Sequence, residues 1–419
     1  MTQEENDLLT QTGPGTPCGE LMRRYWQPVA LSDEIPSGGG APLPVKILSE
    51  ELVLFRDDQG RLGLLGLHCS HRGADLSYGR LEDGGLRCIY HGWLYDVRGR
   101  CLDQPGEPGG GEHRDAIRHP AYPCVEKAGA IFTYMGPGEP PLFPNYEFLH
   151  APKEFAAVGK YFHECNYLQA NEGNIDLSHL SFLHYLHRTP EETQNEFCPR
   201  GAAPESEEAD AVITGCGVRS LKFRRESGSN EYHLYITDFV LPNFTAHWGN
   251  IGSGRLGYSV NWHVPIDDTH HWKYMFSFRR DQPLEASQSR RWRPSDELEN
   301  FKFVRNKSNR YLQERNAMAR DVFTGLGYSF PLHDCWATEG EGPVQDRTKE
   351  HLVSMDRAVV VSRKVLLSAI KVVQEGRDPP NVVRDPQSNH FPILATDEVV
   401  PSSQDWRDYC KELEALVRA

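Results

Sequence analysis

HCSHR at 68–72 and CIYHGW at 88–93 decide the reading of this chain. Together they give Cys69-x-His71, then sixteen residues, then Cys88-x-x-His91. Two thiolates and two imidazoles on paired loops can encircle a metal centre. Thiolate sulfur is soft and suits iron–sulfur clusters or zinc, and imidazole suits either metal. A structural Cys2His2 zinc site is one reading of the four residues. Zinc fingers more often use C-x2–4-C with H-x3–5-H, so the C-x-H pairing is unusual for them. The other cysteines, at 18, 101, 124, 165, 198, 216, 335 and 410, form no second tight pair and read as small buried hydrophobes. His68 adjoins Cys69, but in an extended segment its side chain points the other way, so it reads as a non-ligand.

Working outward, residues 28 to 135 are β-rich. The apolar runs VKIL (45–48), LVLF (52–55), LGLLGL (62–67) and AIFTYM (130–135) are separated by the hairpin signals DDQG (57–60), EDGG (82–85) and DVRG (96–99). Short strands at this spacing predict a small sandwich or barrel. Before them, GPGTP (13–17) precedes a short helical pattern around Leu21 to Tyr25. PGEPGGG (105–111) reads as an irregular loop, and GPGEPPLFPNY (136–146) as a Pro-rich connector between domains. Beyond it, 164–187 is compatible with helix and 212–280 returns to strand-like runs. The stretches 296–320, 348–375 and 404–419 favour helix. The predicted class is α+β, with a β-rich domain over 25–140. A second domain over 141–419, packed with segment 1–24, carries an antiparallel sheet with helices on it.

The chain has 419 residues, a hydrophobic fraction of 38% and a net charge of −14. That is ordinary for a soluble globular protein with a sizeable core. There is no apolar run of the roughly 18 residues a membrane helix needs. The acidic balance argues against nucleic-acid binding, which draws on Lys and Arg clusters. MTQEENDLLTQTG lacks the basic-then-apolar pattern of a leader, which leaves the cytoplasm as the expected compartment.

A second constellation lies in NEGNIDLSHLSFLH (171–184), which gives Asp176-x-x-His179-x4-His184. Histidines five apart on a straight helix stand about 140° apart. They can share a metal only if the helix ends, widens or bends between them. Two unrelated histidines near a helix end is the alternative. His187 lies three residues further and reads as packed or solvent-facing. LPNFTAHW (241–248) reads as a strand of ordinary sheet residues.

C-x-H-R-G with C-x-x-H-G-W resembles the Rieske signature. D-x-x-H-x4-H resembles the mononuclear iron motif of Rieske non-haem iron aromatic oxygenases. RRYWQPVA (23–30) and the DRTKEHL region (346–352) extend the likeness to the oxygenase (alpha) component of the phthalate-dioxygenase-like branch. The resemblance implies a [2Fe–2S] cluster, with Cys69 and Cys88 on one iron and His71 and His91 on the other. It implies Fe(II) held by His179, His184 and a distant carboxylate, in a facial triad that leaves positions for O2. Asp321, Asp334, Asp346 and Asp356 are candidates for that carboxylate. Relatives follow the ligand Asp with Glu five residues later, which favours Asp334 with Glu339; Asp346 could instead pair with Arg347 or Lys349 on the surface. Asp176 is implied to bridge electrons from His91 of one subunit to His179 of the next. The family pattern often has Asn three residues before this Asp, where this chain has Gly173, with Asn174 following. The implied fold is a Rieske domain plus a helix-grip-like catalytic domain. The resemblance also implies that LPNFTAHW lines a cavity in that fold, with Asn243, His247 and Trp248 as possible pocket residues.

No dinucleotide fingerprint and no plant-type ferredoxin spacing are present. Electrons from NAD(P)H must therefore arrive through a separate reductase. The implied partners are that reductase, O2, a small aromatic substrate and further copies of the chain in a homotrimer or dimer of trimers. The implied reaction is hydroxylation or demethylation of an aromatic compound, an aromatic acid being the expected class. The rival readings are an electron-transfer Rieske protein with an accessory ligand-binding domain and a zinc-stabilised binding protein.

Overall fold

The computed structural model describes residues 1–36, 40–108, 111, 114–185, 206–225, 228–249, 251, 254–285 and 297–418. His187 and Cys198 lie outside the described residues. The chain opens with α1 (Gln3–Thr10) and α2 (Pro17–Arg23). The second starts earlier than the apolar pattern alone indicates, because Thr16 caps it by accepting the Gly19 N–H and Pro17 stands in its first turn.

Eleven short strands follow: β1 (Trp26–Leu31), β2 (Leu43–Ile47), β3 (Glu50–Arg56), β4 (Leu62–Gly66), β5 (Arg80–Glu82), β6 (Gly85–Arg87), β7 (Leu94–Tyr95), β8 (Cys101–Asp103), β9 (Ala121–Tyr122), β10 (Cys124–Lys127) and β11 (Ala130–Tyr134). They form three small sheets, in the orders β1-β11-β10, β2-β3-β4-β9 and β5-β6-β7-β8. The predicted hairpins are there for a readable reason. Asp57 and Asp96 each open an Asp-x-x-Gly-Arg turn. The carboxylate of each accepts the backbone N–H groups two and four residues on and pairs with the closing Arg61 or Arg100. Between β5 and β6, Asp83 and Gly84 both take positive φ, as a tight hairpin requires.

After the connector come α3 (Glu147–His150) and β12 (Ala156–His163), then α4 (Tyr167–Ile175) and the one-turn α5 (Leu180–Leu183). The large antiparallel sheet continues with β13 (Ser206–Ile213), β14 (Gly217–Arg225), β15 (Glu231–Val240), β16 (Phe244–His247), β17 (Gly257–Asp267) and β18 (His270–Arg279). Its order is β12-β18-β17-β16-β15-β14-β13. A two-stranded pair, β19 (Leu298–Glu299) with β20 (Lys302–Phe303), lies beside it, and then come α6 (Phe330–Gly340) and α7 (Arg357–Gln374). β21 (Thr396–Pro401) pairs with β15, and α8 (Trp406–Arg418) closes the chain.

The stretch 296–320, predicted helical from composition, contains no α-helix among its described residues. Asn300, Phe301, Arg310, Tyr311 and Leu312 adopt positive φ. Tyr311 is drawn inward to hydrogen-bond the buried Glu339, so tertiary contact overrides local propensity. α7 likewise starts nine residues later than the 348–375 pattern, after two 3-10 turns at Arg347–Lys349 and Ser354–Asp356.

The large sheet is buried on both faces, yet the faces differ. Phe244, Val260, Trp262 and Phe276 look into the main apolar core. That core is continuous with the small-sheet region: Phe132 of β11 packs 5.6 Å from Trp262, ring centre to centre. The opposite face presents Thr245, Asn261, His263, His271 and Lys273, all buried and all polar. Buried polar groups are costly unless they are partnered or face a ligand site. α4 and α6 cover this polar face. No helix among the described residues is long and apolar enough to cross a membrane.

Candidate metal centres

The two Cys/His loops are built alike. The Cys69 N–H donates to the Ala74 carbonyl at 2.8 Å, and Gly73 N–H returns to the Cys69 carbonyl at 2.8 Å. The Cys88 N–H donates to the Trp93 carbonyl at 2.8 Å, and Gly92 N–H returns to the Cys88 carbonyl at 3.0 Å. Gly73 and Gly92 close the loops at φ +72° and +81°, the left-handed region that favours glycine. This explains the glycine in both motifs. Cys69 and Cys88 are buried free thiols. The imidazoles of His71 and His91 stand 4.4 Å apart, centre to centre, and His71 stacks on Trp93.

His71 Nδ1 is buried with no hydrogen-bond partner, which fits a donor atom meant for a metal. Burial pushes the Cys88 thiol up, while the backbone N–H groups of Tyr90 and His91 pull it back toward thiolate. The Tyr95 hydroxyl lies 3.2 Å from Cys69 Sγ. Such hydrogen bonds to sulfur raise a cluster's potential. His68 faces away, 57% exposed at its side chain, with its ring near Gly73 and Glu51. Around His91 the loop tip leaves Tyr78, Ile89 and Tyr90 exposed.

The second centre forms where α4 ends. Asp176 is the C-cap of α4, and its carboxylate accepts the Ser178 N–H at 2.7 Å to start a turn. His179 and His184 then flank α5 at its two ends, His179 as N-cap and His184 as C-cap. The straight-helix obstacle to a shared metal therefore does not arise. His179 Nδ1 donates to the Asp176 carbonyl at 2.6 Å, which leaves its Nε2 as the lone-pair nitrogen. That Nε2 lies 3.7 Å from Asp334 Oδ1, and His184 Nε2 lies 3.0 Å from the same oxygen.

One ligand atom from each of His179, His184 and Asp334 thus falls within 4.8 Å of the others. Burial pushes His184 down to about 4, so its imidazole stays neutral at physiological pH. Burial alone would raise Asp334, but His184, Lys273 and His179 hold it well below the usual carboxylate range. Two imidazoles and one carboxylate match a divalent transition metal such as iron.

Of the other acids weighed as third ligand, none joins the histidines. Asp346 caps a 3-10 turn and pairs with Lys349 at 2.7 Å on the surface. Asp356 caps the turn at Val353, and Asp321 is exposed. Arg347, in contrast, is fully buried. It reaches Glu172 of α4, which also receives Arg363 of α7 at 2.6 Å. The DRTKEHL region thus braces the helix that leads into the centre. Glu339 is a strut as well: it accepts from Tyr311, from Cys335 and from the Glu164 N–H. The contacts of the Asp176 carboxylate among the described residues are to Ser178 and His179, not to His91.

A largely apolar pocket opens on two of the three converging residues, His179 and Asp334. His247 and Trp248 line it, as the sequence allows. Asn243 does not: it is bonded to Gln27 and Trp262 in the core. Sequence reasoning missed Asn174, Thr237, Asn261, Lys273 and Met275, all in the lining. For Thr237, Asn261 and Lys273 the signal is faint, consisting of polar residues in largely apolar strands, and Asn174 on α4 and Met275 carry none. Asn174 is held by a relay of rings. His271 Nδ1 donates to the Cys165 carbonyl, its Nε2 lies 3.1 Å from His263 Nδ1, and His263 Nε2 lies 2.8 Å from Asn174 Oδ1.

The chain is similar to known proteins over nearly its whole length. The family profile of the Rieske [2Fe-2S] domain covers residues 25–123, and a profile described as LigXa C-terminal domain like covers 133–416. The phthalate 4,5-dioxygenase oxygenase subunit of Pseudomonas putida is 32% identical over 98% of this chain and 94% of its own. The 5,5'-dehydrodivanillate O-demethylase oxygenase subunit of a Sphingobium sp. is 30% identical over 94% of this chain and 87% of its own. Among solved structures, the oxygenase in the reduced complex between oxygenase and ferredoxin of carbazole 1,9a-dioxygenase superposes with a TM-score of 0.59. It covers 92% of this chain and 96% of that one at 20% identity, a likeness of fold.

Proposed function

We propose a function from one premise: the chain belongs to the Rieske non-haem iron oxygenases, as an oxygenase (alpha) component of the phthalate-dioxygenase-like branch. In this reading the protein uses O2, with electrons from a separate NAD(P)H-dependent reductase, to hydroxylate or demethylate an aromatic compound, most simply an aromatic acid. Cys69 and Cys88 hold one iron of the [2Fe–2S] cluster, and His71 and His91 hold the other. His179, His184 and Asp334 hold the mononuclear Fe(II). When bound, the cluster supplies electrons singly and the iron supplies the open positions where O2 is reduced.

The chain's own residues supply the rest. The Asp176 carbonyl fixes the tautomer of His179 and orients its ring. Phe330 stacks on His184 at 3.5 Å and holds that ring in place. Leu177, Leu180, Trp248 and Phe330 give the pocket apolar walls that exclude water and suit an aromatic ring. We assign Asp176 as the bridge that passes electrons from His91 of a neighbouring subunit to His179, in a homotrimer or dimer of trimers. The exposed tip at Ile89 and Tyr90 supports a subunit contact there. The free cysteines suit a reducing compartment, the cytoplasm.

The observation that carries the proposal is the convergence of His179, His184 and Asp334, two of which (His179 and Asp334) line an apolar pocket, in a chain that also bears the paired Cys/His loops. Reductase-coupled O2 uptake across a panel of aromatic compounds tests it. The expected result is uptake stimulated by at least one aromatic, with a hydroxylated or demethylated product. Absence of stimulation by every member, with both centres loaded, would contradict it.

A further inference from the structure

The sheet that roofs the pocket carries a buried cation with little to hold it. Lys273 sits mid-strand in β18 and is 2% exposed. Its one ionic contact among the described residues is Asp334 Oδ2, at 3.8 Å. That is too long for a hydrogen bond, and Asp334 Oδ1 is turned the other way, toward the two imidazoles. A buried ammonium with one long contact is poorly solvated. It also lines the pocket and is the one Lys or Arg to do so among the described residues.

Two neighbours on the same face extend the pattern. Thr237 Oγ1 is buried in the lining with no hydrogen-bond partner. Asn261 of β17 stands opposite Met275, one inward-facing position from Lys273, and lines the pocket too. Resting on the reading of this pocket as the oxygenase's substrate site, we infer that Lys273 determines specificity by pairing with the carboxylate of an aromatic anion, with Asn261 and Thr237 offering it hydrogen bonds. A divalent ion on Asp334 and the imidazoles absorbs the charge that Lys273 now faces. The ammonium is then left beside a positive centre, and an incoming carboxylate offsets both. Apolar walls with one cation select a ring bearing one anionic group over a neutral ring.

Calorimetric binding to the anaerobic holoprotein, without reductase, tests this. The probes are benzoate, phthalate, isophthalate, 3-methoxybenzoate and 3-phenoxybenzoate, each against its methyl ester. At least one acid is expected to bind about 10-fold or more tightly than its ester, the size of a hydrogen-bonded charge contact. Lys273→Met should erase that gap with ester affinity and mononuclear iron content kept, and Lys273→Arg should retain it. The inference is overturned if no acid outbinds its ester in the wild type, a result that needs no variant to fold. It is also overturned if Lys273→Met keeps the gap, or if that variant sheds the mononuclear iron, which would make Lys273 a support for Asp334. O2 uptake stimulated by the esters but not the acids would end this inference while leaving the oxygenase reading standing.

Discussion

The cluster loops and the iron pocket hold their donors by opposite means. All four proposed cluster ligands lie between residues 69 and 91, on two loops closed by their own backbone hydrogen bonds and a left-handed glycine each. The proposed iron ligands are brought together by packing, with His184 and Asp334 separated by 150 positions. The first centre is a local device and sits at an exposed tip. The second is a product of the whole catalytic fold and stands behind a braced helix. Damage to one should therefore spare the other in a predictable direction.

The largest effect is expected from Cys88→Ser. It should remove the cluster's visible absorption and all reductase-driven turnover, while metal analysis still finds the mononuclear iron. Asp176→Asn sharpens the comparison by leaving both centres loaded. The amide keeps an acceptor for the Ser178 N–H, so the turn survives. Product formation should still fall by about 10- to 100-fold, the usual size of a supporting-residue defect at a metal site. A rapid reduction of the cluster with slow product formation is the signature to look for in stopped-flow absorbance.

Glu172→Gln tests the brace. It leaves Arg347 and Arg363 buried without their shared carboxylate, a change that costs about 3–5 kcal/mol in such settings. Chemical denaturation should show the loss, and the mononuclear iron should escape before the cluster colour fades. The effect depends on pH with a definite sign. Burial alone would raise Glu172, but the two arginines hold it below its ordinary value of 4.5. A depressed carboxylate stabilises the fold above its unfolded pKa, and that contribution is lost as pH falls through the folded value. The stability gap between wild type and Glu172→Gln should thus be full at neutral pH and shrink as pH falls below 4.5. The smallest effect is expected from Asp346→Ala. It removes an exposed pair with Lys349 and should leave iron content unchanged and the thermal midpoint within error.

The same contrast governs what was legible in the sequence. Cys69, His71, Cys88 and His91 could be read from spacing because local loops need fixed residues at fixed intervals. The Asp-x-x-Gly-Arg turns could be read for the same reason. His179 and His184 were legible as a pair, but the one-turn α5 that lets them converge was not, since nothing local marks the end of α4 at Ile175 except Asp176 itself. Glu172, Arg347 and Arg363 look like ordinary helix charges in sequence and meet only through tertiary packing. Lys273 and Asn261 were hidden more deeply. Around Asn261 the sequence alternates, Tyr258-Ser259-Val260-Asn261-Trp262-His263-Val264, which reads as a solvent-facing polar side; it announces a site only once that polar face is found buried.

The most direct test of two independently built centres is iron and acid-labile sulfide per chain, measured in the wild type and in Asp334→Ala. The account predicts about three irons and two sulfides in the wild type, and about two of each in Asp334→Ala with the red-brown colour intact. Equal iron in the two proteins, or a colourless wild type holding zinc, would contradict it.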